Sequence, residues 1–210
     1  MTRNTVKKLI KRALPASTAR LLGDCRGMPP DTALTYLRLR AWRRLGVRSD
    51  RAILRRAAPE SVLFVCHGNI MRSPMAAEAF RLRVAAGKRA VGVASVGTWT
   101  SNGRRADPRA IAVAHEMGIS LEEHRSRSIT ASIVANSDLI CVMDYRNEVD
   151  VVTRFPGAAR KTILLGALNP TPTAGPEIPD PYMMNPDGVA ECYRRLVPAI
   201  DELVRVLQMD

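Results

Sequence analysis

A cysteine, an arginine and a serine stand close enough in this chain to share one reaction. Cys66 is followed after five residues by Arg72, and Arg72 by Ser73 and Pro74. An ionised thiol is a strong nucleophile, and a planar guanidinium fork matches two oxygens of a phosphoryl group as the point charge of lysine would not. The Ser73 hydroxyl can donate to the sulfur, steadying a thiolate and later improving it as a leaving group. These residue types point to nucleophilic attack on phosphorus. The plainer reading of a single cysteine is a buried core residue beside a surface arginine.

The elements around the trio favour the chemical reading. In Ser61-Val-Leu-Phe-Val-Cys-His-Gly-Asn-Ile-Met-Arg-Ser-Pro74, the apolar run Val62 to Val65 is too short and too β-branched for a helix and predicts a buried strand ending at Cys66. Pro74 sits at the first position of an apolar-periodic helix. Gly68 and Asn69 suit the unusual backbone angles of a loop closed round an anion. A strand, a tight loop and a helix start bring backbone N–H groups and a helix dipole to one point, which stabilises the anionic thiolate.

The run Val65-Cys-His-Gly-Asn-Ile-Met-Arg-Ser-Pro74 resembles the phosphate-binding loop of the low-molecular-weight protein tyrosine phosphatases. Asp180-Pro181-Tyr182 stands where that family has its Asp-Pro pair, so the resemblance runs from Ser61 to the C-terminus. It implies a protein tyrosine phosphatase that hydrolyses phosphotyrosine and small aryl phosphates through a cysteinyl-phosphate. Cys66 would be the nucleophile and Asp180 the general acid, then the base. Arg72 and the loop of His67, Gly68, Asn69, Ile70, Met71 and Ser73 would hold the phosphoryl oxygens. By the same resemblance Ser95 and His124 join Asn69 and Ser73 in a stiffening network, and Asp144 has a structural role. Trp99 and Tyr182 would wall the substrate slot, although the loop carrying Trp99 is slightly shorter than the common pattern.

Three departures from that family bear on chemistry. Met71 stands where many members have a second cysteine able to trap the nucleophile as a disulfide. Ile70 stands where members acting on phosphoarginine tend to have threonine, which favours phosphotyrosine. His67, polar and next to the nucleophile, is a further influence on substrate choice. The implied partner is a phosphotyrosine protein, a tyrosine kinase among the candidates. No metal or other cofactor is implied, and no His, Cys or carboxylate spacing suggests one.

Positioning these residues requires an α/β fold. Strands are predicted at 62–66, 91–96, 138–143 and 161–165, and helices at 74–87, 106–117, 145–152 and 187–207, with Pro198 bending or restarting the last. The alternation predicts a small doubly wound, four-stranded parallel sheet with helices on both faces, whose strand C-termini gather the functional loops. Gly166 to Pro181 holds five prolines and reads as a long ordered loop carrying Asp180.

Charge divides the 210 residues at a different place from chemistry. Residues 1–59 hold 15 Lys/Arg against 3 Asp/Glu, the whole net +12, whereas residues 60–210 hold 17 of each. The reading is a basic, helical N-terminal extension (1–59) ahead of a neutral catalytic domain (60–210). Asn4 to Leu14 predicts a basic amphipathic helix suited to an anionic membrane surface, with a helix docked on the domain or an organellar transit peptide as alternatives. Asp31 is the expected N-cap of a helix over Thr32 to Leu45, stopped by Gly46, with Leu34, Leu37, Ala41, Trp42 and Leu45 as its apolar face. Tyr36 and Trp42 alone interleave with its arginines, too little for nucleic-acid binding. Cys25, Cys66, Cys141 and Cys192 are scattered, with no CxxC, which suits a reducing, cytoplasmic compartment with peripheral membrane contact.

Two other functions share some of these features. A thioredoxin-linked arsenate reductase of the same fold needs two further cysteines near Cys66, and the spacing of Cys141 and Cys192 does not offer that pair. A phosphate-binding adaptor without turnover would have no use for Asp180.

Overall fold

The structure, a computed structural model, describes Cys25 and residues 27–85, 90–171 and 175–208. The segment Asn4 to Leu14 and the last residues of the helix predicted over 74–87 lie outside them.

Among the described residues two helices precede the sheet, α1 (Pro30–Arg44) and α2 (Asp50–Arg56), the second capped by the Ser49 hydroxyl. Strand β1 (Ser61–Cys66) leads to α3 (Arg72–Val84), and β2 (Gly92–Gly97) to α4 (Pro108–Glu116). A short α5 (Ala131–Ala135) enters β3 (Leu139–Val142), followed by α6 (Tyr145–Arg154), β4 (Thr162–Leu164) and α7 (Pro186–Gln208). The four strands are parallel in the order β2-β1-β3-β4. The predicted doubly wound sheet is therefore present, with Cys66 at the C-terminal end of a central strand. Helices α2 and α5 are turns too short for periodicity to mark.

Alternate residues of the strands feed two cores, as the pleat requires. Val62, Phe64, Leu139 and Cys141 face α3, α4 and α7, where Phe64 meets Phe80 with ring centroids 5.5 Å apart. Leu63, Val65, Ile140 and Val142 face α1, α5 and α6. One sheet face is thus partly covered by a helix from the basic N-terminal stretch.

The face α1 buries is not the one predicted. Tyr36 and Leu39 are buried, while Leu34 and Leu45 are 60% and 75% exposed. Tyr36 packs edge-on to Tyr145 at 5.9 Å. Burying a side chain such as Leu39 contributes about 1.5–3 kcal/mol. Arg43 lies on the inward face too, which hides this stripe from a hydrophobic count. The helix also starts earlier than expected, with Pro30 at its first turn and Asp31 inside it rather than capping it. Helix α7 runs unbroken through Pro198. Leu196, Ala199, Ile200 and Leu203 are fully buried around it, enough to offset the lost backbone bond.

Candidate active site

The loop after β1 is closed by its own side chains. Asn69 adopts a left-handed φ of 50°, a conformation that asparagine tolerates. Its backbone N–H donates to Cys66 Sγ at 3.2 Å. Its side-chain NH2 donates to Ser73 Oγ and to Ser95 Oγ, each at 2.9 Å, and its Oδ1 accepts from the Arg127 N–H at 2.8 Å. Three partners fix the amide orientation and satisfy this fully buried group. Because Asn69 donates to Ser73 Oγ, the Ser73 proton is free to point at Cys66 Sγ, 3.0 Å away, or at the Val96 carbonyl at 3.3 Å.

His124 joins from the far side, its Nε2 2.7 Å from the Asn69 carbonyl. Burial pushes the His124 pKa below its usual value, the Asn69 hydrogen bond opposing this only in part. The neutral ring with the proton on Nε2 suits the carbonyl it meets. Ser95 and His124 thus stand with Asn69 and Ser73 in one network.

The loop is also clamped to β2. The Thr98 and Trp99 N–H groups donate to the carbonyls of Cys66 and His67 at 2.9 and 3.0 Å. Gly97 leaves no room for a side chain: a Cβ there would lie 2.7 Å from the His67 carbonyl oxygen and 2.8 Å from a Thr100 carbon. Below the loop, the Tyr193 hydroxyl donates to the Met71 carbonyl at 3.1 Å.

Arg72 lies at the floor, 2% exposed, at the start of α3. Nη1 donates to Asp144 Oδ2 at 2.6 Å and to the Ile178 carbonyl at 3.1 Å, and Nη2 donates to Asp180 Oδ2 at 2.7 Å. Burial alone would lower its pKa, but Asp144, Cys66 and Asp180 raise it well above the usual value, so the guanidinium stays charged. Asp144 also accepts from the Asn147 N–H, capping α6, so one carboxylate ties the arginine to a helix start.

The loop carrying Asp180 is held from both sides. Arg195 donates to the Glu177 carbonyl at 2.7 Å, and the Ile178 N–H donates to the Met143 carbonyl at 2.8 Å. Arg109, itself gripped by Asp107 at 2.9 and 2.8 Å, donates to the carbonyls of Tyr182 and Met184. The Asp107 N–H donates to the Ile70 carbonyl at 2.9 Å, so one Asp-Arg pair spans both loops. Hydrogen bonding to Arg109 holds the Asp107 carboxyl below its usual range.

These walls enclose a cavity of about 240 Å³ lined by Cys66, His67, Gly68, Ile70, Met71, Arg72, Asp180 and the exposed rings of Trp99 and Tyr182. Arg104 completes the lining; sequence reasoning passed over it because nothing distinguishes it from its neighbour Arg105. Asp107 and Arg109 were missed as well, although Asp107-Pro-Arg at a helix start is a capping signal. A larger concavity of about 1120 Å³ lies between α1, α2 and residues 166–171 and 175–176. No cysteine lines it, and Arg43, Arg48 and Arg51 on its wall are paired with Glu148 or Glu202. Among the described residues no cluster of three His, Cys, Asp or Glu converges on a metal position, and no helix is long and apolar enough to cross a membrane.

Comparison with known proteins gives one consistent family. Residues 61–210 match the family model of the low molecular weight phosphotyrosine protein phosphatases. The chain is 32% identical over 149 residues to the probable low molecular weight protein-tyrosine-phosphatase EpsP of Ralstonia nicotianae, covering 71% of this chain and 89% of that protein. Among solved structures it superposes on the Erwinia amylovora tyrosine phosphatase AmsI with a TM-score of 0.63 and 33% identity, over 70% of this chain and 92% of that one. The arginine phosphatase YwlE of Geobacillus stearothermophilus superposes equally well, with a TM-score of 0.63, 32% identity and the same coverage of both chains.

Proposed function

The chain belongs to the low molecular weight phosphotyrosine protein phosphatase family, and from that premise we propose a mechanism for its removal of phosphate from phosphotyrosine proteins. The observation that carries it is the convergence of Cys66, Arg72 and Asp180 on one 240 Å³ cavity.

The reaction begins with the Cys66 thiolate attacking phosphorus in line. The S–P bond forms as the bond to the phenolic oxygen breaks. The N–H of Asn69 and the hydroxyl of Ser73, both within hydrogen-bond reach of the sulfur, stabilise the thiolate before attack and as leaving group afterwards. Arg72 and the loop amides bind the equatorial oxygens. Asp144 retains Nη1, while Nη2 exchanges Asp180 for a phosphoryl oxygen. That exchange frees the Asp180 carboxyl to protonate the departing phenol, then to take a proton from the water that hydrolyses the cysteinyl-phosphate.

Trp99 and Tyr182 present exposed ring faces at the cavity mouth, suited to a phenyl group. Their presence, with Ile70 in the loop, favours phosphotyrosine over phosphoarginine. Turnover of p-nitrophenyl phosphate by the parent, and its loss in Cys66→Ser, tests the assignment. Persisting turnover in that variant would remove Cys66 from the mechanism.

Tyrosine kinases are candidates among the protein substrates. The basic charge of residues 1–59 supports contact with an anionic membrane surface by a cytoplasmic enzyme. Each Lys or Arg near such a surface is worth about 1 kcal/mol at low salt. Because Arg43, Arg48 and Arg51 are committed to ion pairs, Lys7, Lys8, Lys11 and Arg12 are the better sources of that attraction. We read the described residues from Pro30 to Gln208 as one folded unit rather than a domain starting at residue 60. Co-sedimentation with anionic vesicles, retained on deleting residues 1–24, would count against this source.

A further inference from the structure

We infer that Arg104 is a second anion-recognition position on the cavity rim, selecting phosphotyrosine substrates with a negative charge beside the phosphorylated residue. This deepens the phosphatase reading and rests on it.

The backbone of Arg104 is fixed. Its N–H donates to Ser126 Oγ at 3.0 Å, and its carbonyl accepts from the Ser126 N–H at 2.8 Å. Ser126 is 1% exposed, and its hydroxyl donates onward to the Ser101 carbonyl at 2.6 Å. The next residue, Arg105, bridges to Arg125. The loop that carries Trp99 and Arg104 is therefore braced, and ordering it costs little when a substrate binds.

The Arg104 side chain, by contrast, is exposed and unengaged. Among the described residues its guanidinium makes no ion pair and no hydrogen bond. Several arginines nearby are committed. Arg72 holds Asp144 and Asp180, Arg109 holds Asp107, Arg105 holds Glu122, and Arg154 donates to the Thr98 carbonyl. A guanidinium that lines a cavity from a braced backbone, without a protein partner, has its donors available to a ligand.

The transferring phosphoryl group does not account for it. That group's charge is met at the floor by buried Arg72 and the loop amides, whereas Arg104 is an exposed lining residue on the loop that also carries Trp99. Once the phenyl ring fills the slot, the residues flanking the phosphotyrosine cross the rim. The surrounding sequence supports an anionic neighbour, since residues 99–105 and 122–127 carry Arg104, Arg105, Arg125 and Arg127 against Glu122 and Glu123. The chemistry recognised is a carboxylate or a second phosphate on the same peptide.

The test compares kcat/KM for one phosphotyrosine peptide with neutral flanks, the same peptide with aspartate or glutamate flanks, and a third with a second phosphotyrosine. For an exposed pair, the acidic-to-neutral ratio in the parent should be about two to five at low ionic strength and fall with added salt. It should drop to about one in Arg104→Ala and below one in Arg104→Glu. A preference for either anion supports the inference, and the third peptide tells which is favoured. A ratio near one in the parent overturns it, as does a ratio unchanged in Arg104→Ala. An equal loss in Arg104→Ala on every peptide and on p-nitrophenyl phosphate also overturns it, since Arg104 would then grip the transferring group. The same ratio read from peptide dissociation constants of Cys66→Ser decides the matter even if the parent proves to hydrolyse none of them, which would refute the phosphatase reading separately.

Discussion

Arg43 and Glu148 lie 105 residues apart in sequence and meet through two parallel hydrogen bonds, Nη1 to Oε2 at 2.5 Å and Nη2 to Oε1 at 2.9 Å. Glu148 is fully buried on α6, where it also takes Arg48 at 3.1 Å, and Arg43 grips Asp50 as well. Burial opposes the Arg43 charge, yet the two carboxylates raise its pKa. Helix α1 is thereby tied to α6, the helix whose capping residue Asp144 holds Arg72. The basic stretch reaches the candidate nucleophile's loop in few steps.

Replacing Glu148 by alanine should destabilise the protein by about 3 kcal/mol, because it strands buried cationic groups. Replacing Arg43 and Glu148 together by methionine should not recover this, because Asp50 and Arg48 then lose their ion-pair partners. Denaturant unfolding reads both, and a loss below about 1 kcal/mol for the single change would show the pair to be solvated in practice. Deleting residues 1–59 should bare Tyr145 and its neighbours on α6, against which Tyr36 packs, and strand Glu148 without Arg43 and Arg48, giving poorly soluble protein rather than a free-standing enzyme.

Gly97→Ala should cost activity out of proportion to the single carbon added. The new Cβ must displace the His67 carbonyl, and with it the loop next to Cys66. Misplacing reacting groups by about 1 Å costs on the order of 100-fold. An alanine variant with parental kcat/KM would mean that the loop yields without consequence.

Asp180→Asn should lower kcat by about two to four orders of magnitude for phenols that leave poorly, and far less for those that leave without a proton. A leaving-group series shows the difference as a steeper slope. The same small loss across the series would assign the acid elsewhere.

Alkylation should separate the four cysteines. Burial pushes the thiols of Cys192, to about 12, and of Cys141 upward, and neither should react in the folded protein. Cys66 lines the cavity, so iodoacetate should modify it and phosphate should protect it. Peptide mapping after a short exposure gives the answer. Modification of Cys66 that phosphate leaves untouched would place the anion site elsewhere.

His124 should make loop stability depend on pH. Its pKa is lowered by burial in the folded chain, so the unfolded chain binds the proton more readily. Its contribution is therefore present above the unfolded value of about 6.5 and is lost as pH falls through the lower folded value. Melting temperatures from pH 7.5 to 5 should fall less for His124→Gln than for the parent, and parallel curves would exclude this role.

The sequence by itself determined the sheet and the chemistry at its edge. A four-residue apolar run before Cys66, a proline in the first turn of the next helix (which opens two residues earlier than expected, at Arg72) and alternating strand and helix signals are local patterns, and each follows from sterics or burial of neighbours in the chain. Cys66, Asn69, Arg72 and Ser73 were legible for the same reason, since one strand-loop-helix unit holds them all. Asp180 needed the family resemblance, because no local rule links it to Arg72.

Tertiary structure decided what depends on distant partners. The inward face of α1 could not be read from its own residues, for Arg43 is buried only because Glu148 and Asp50 neutralise it. The charge boundary near residue 59 therefore does not coincide with a packing boundary. Asp107 and Arg109 span the phosphate loop and the Asp180 loop, and Arg104 faces the cavity, through contacts that the crossovers of the sheet create. Period and propensity report a residue's neighbours along the chain, whereas ion pairs and cavity walls form between segments that only the packed fold brings together.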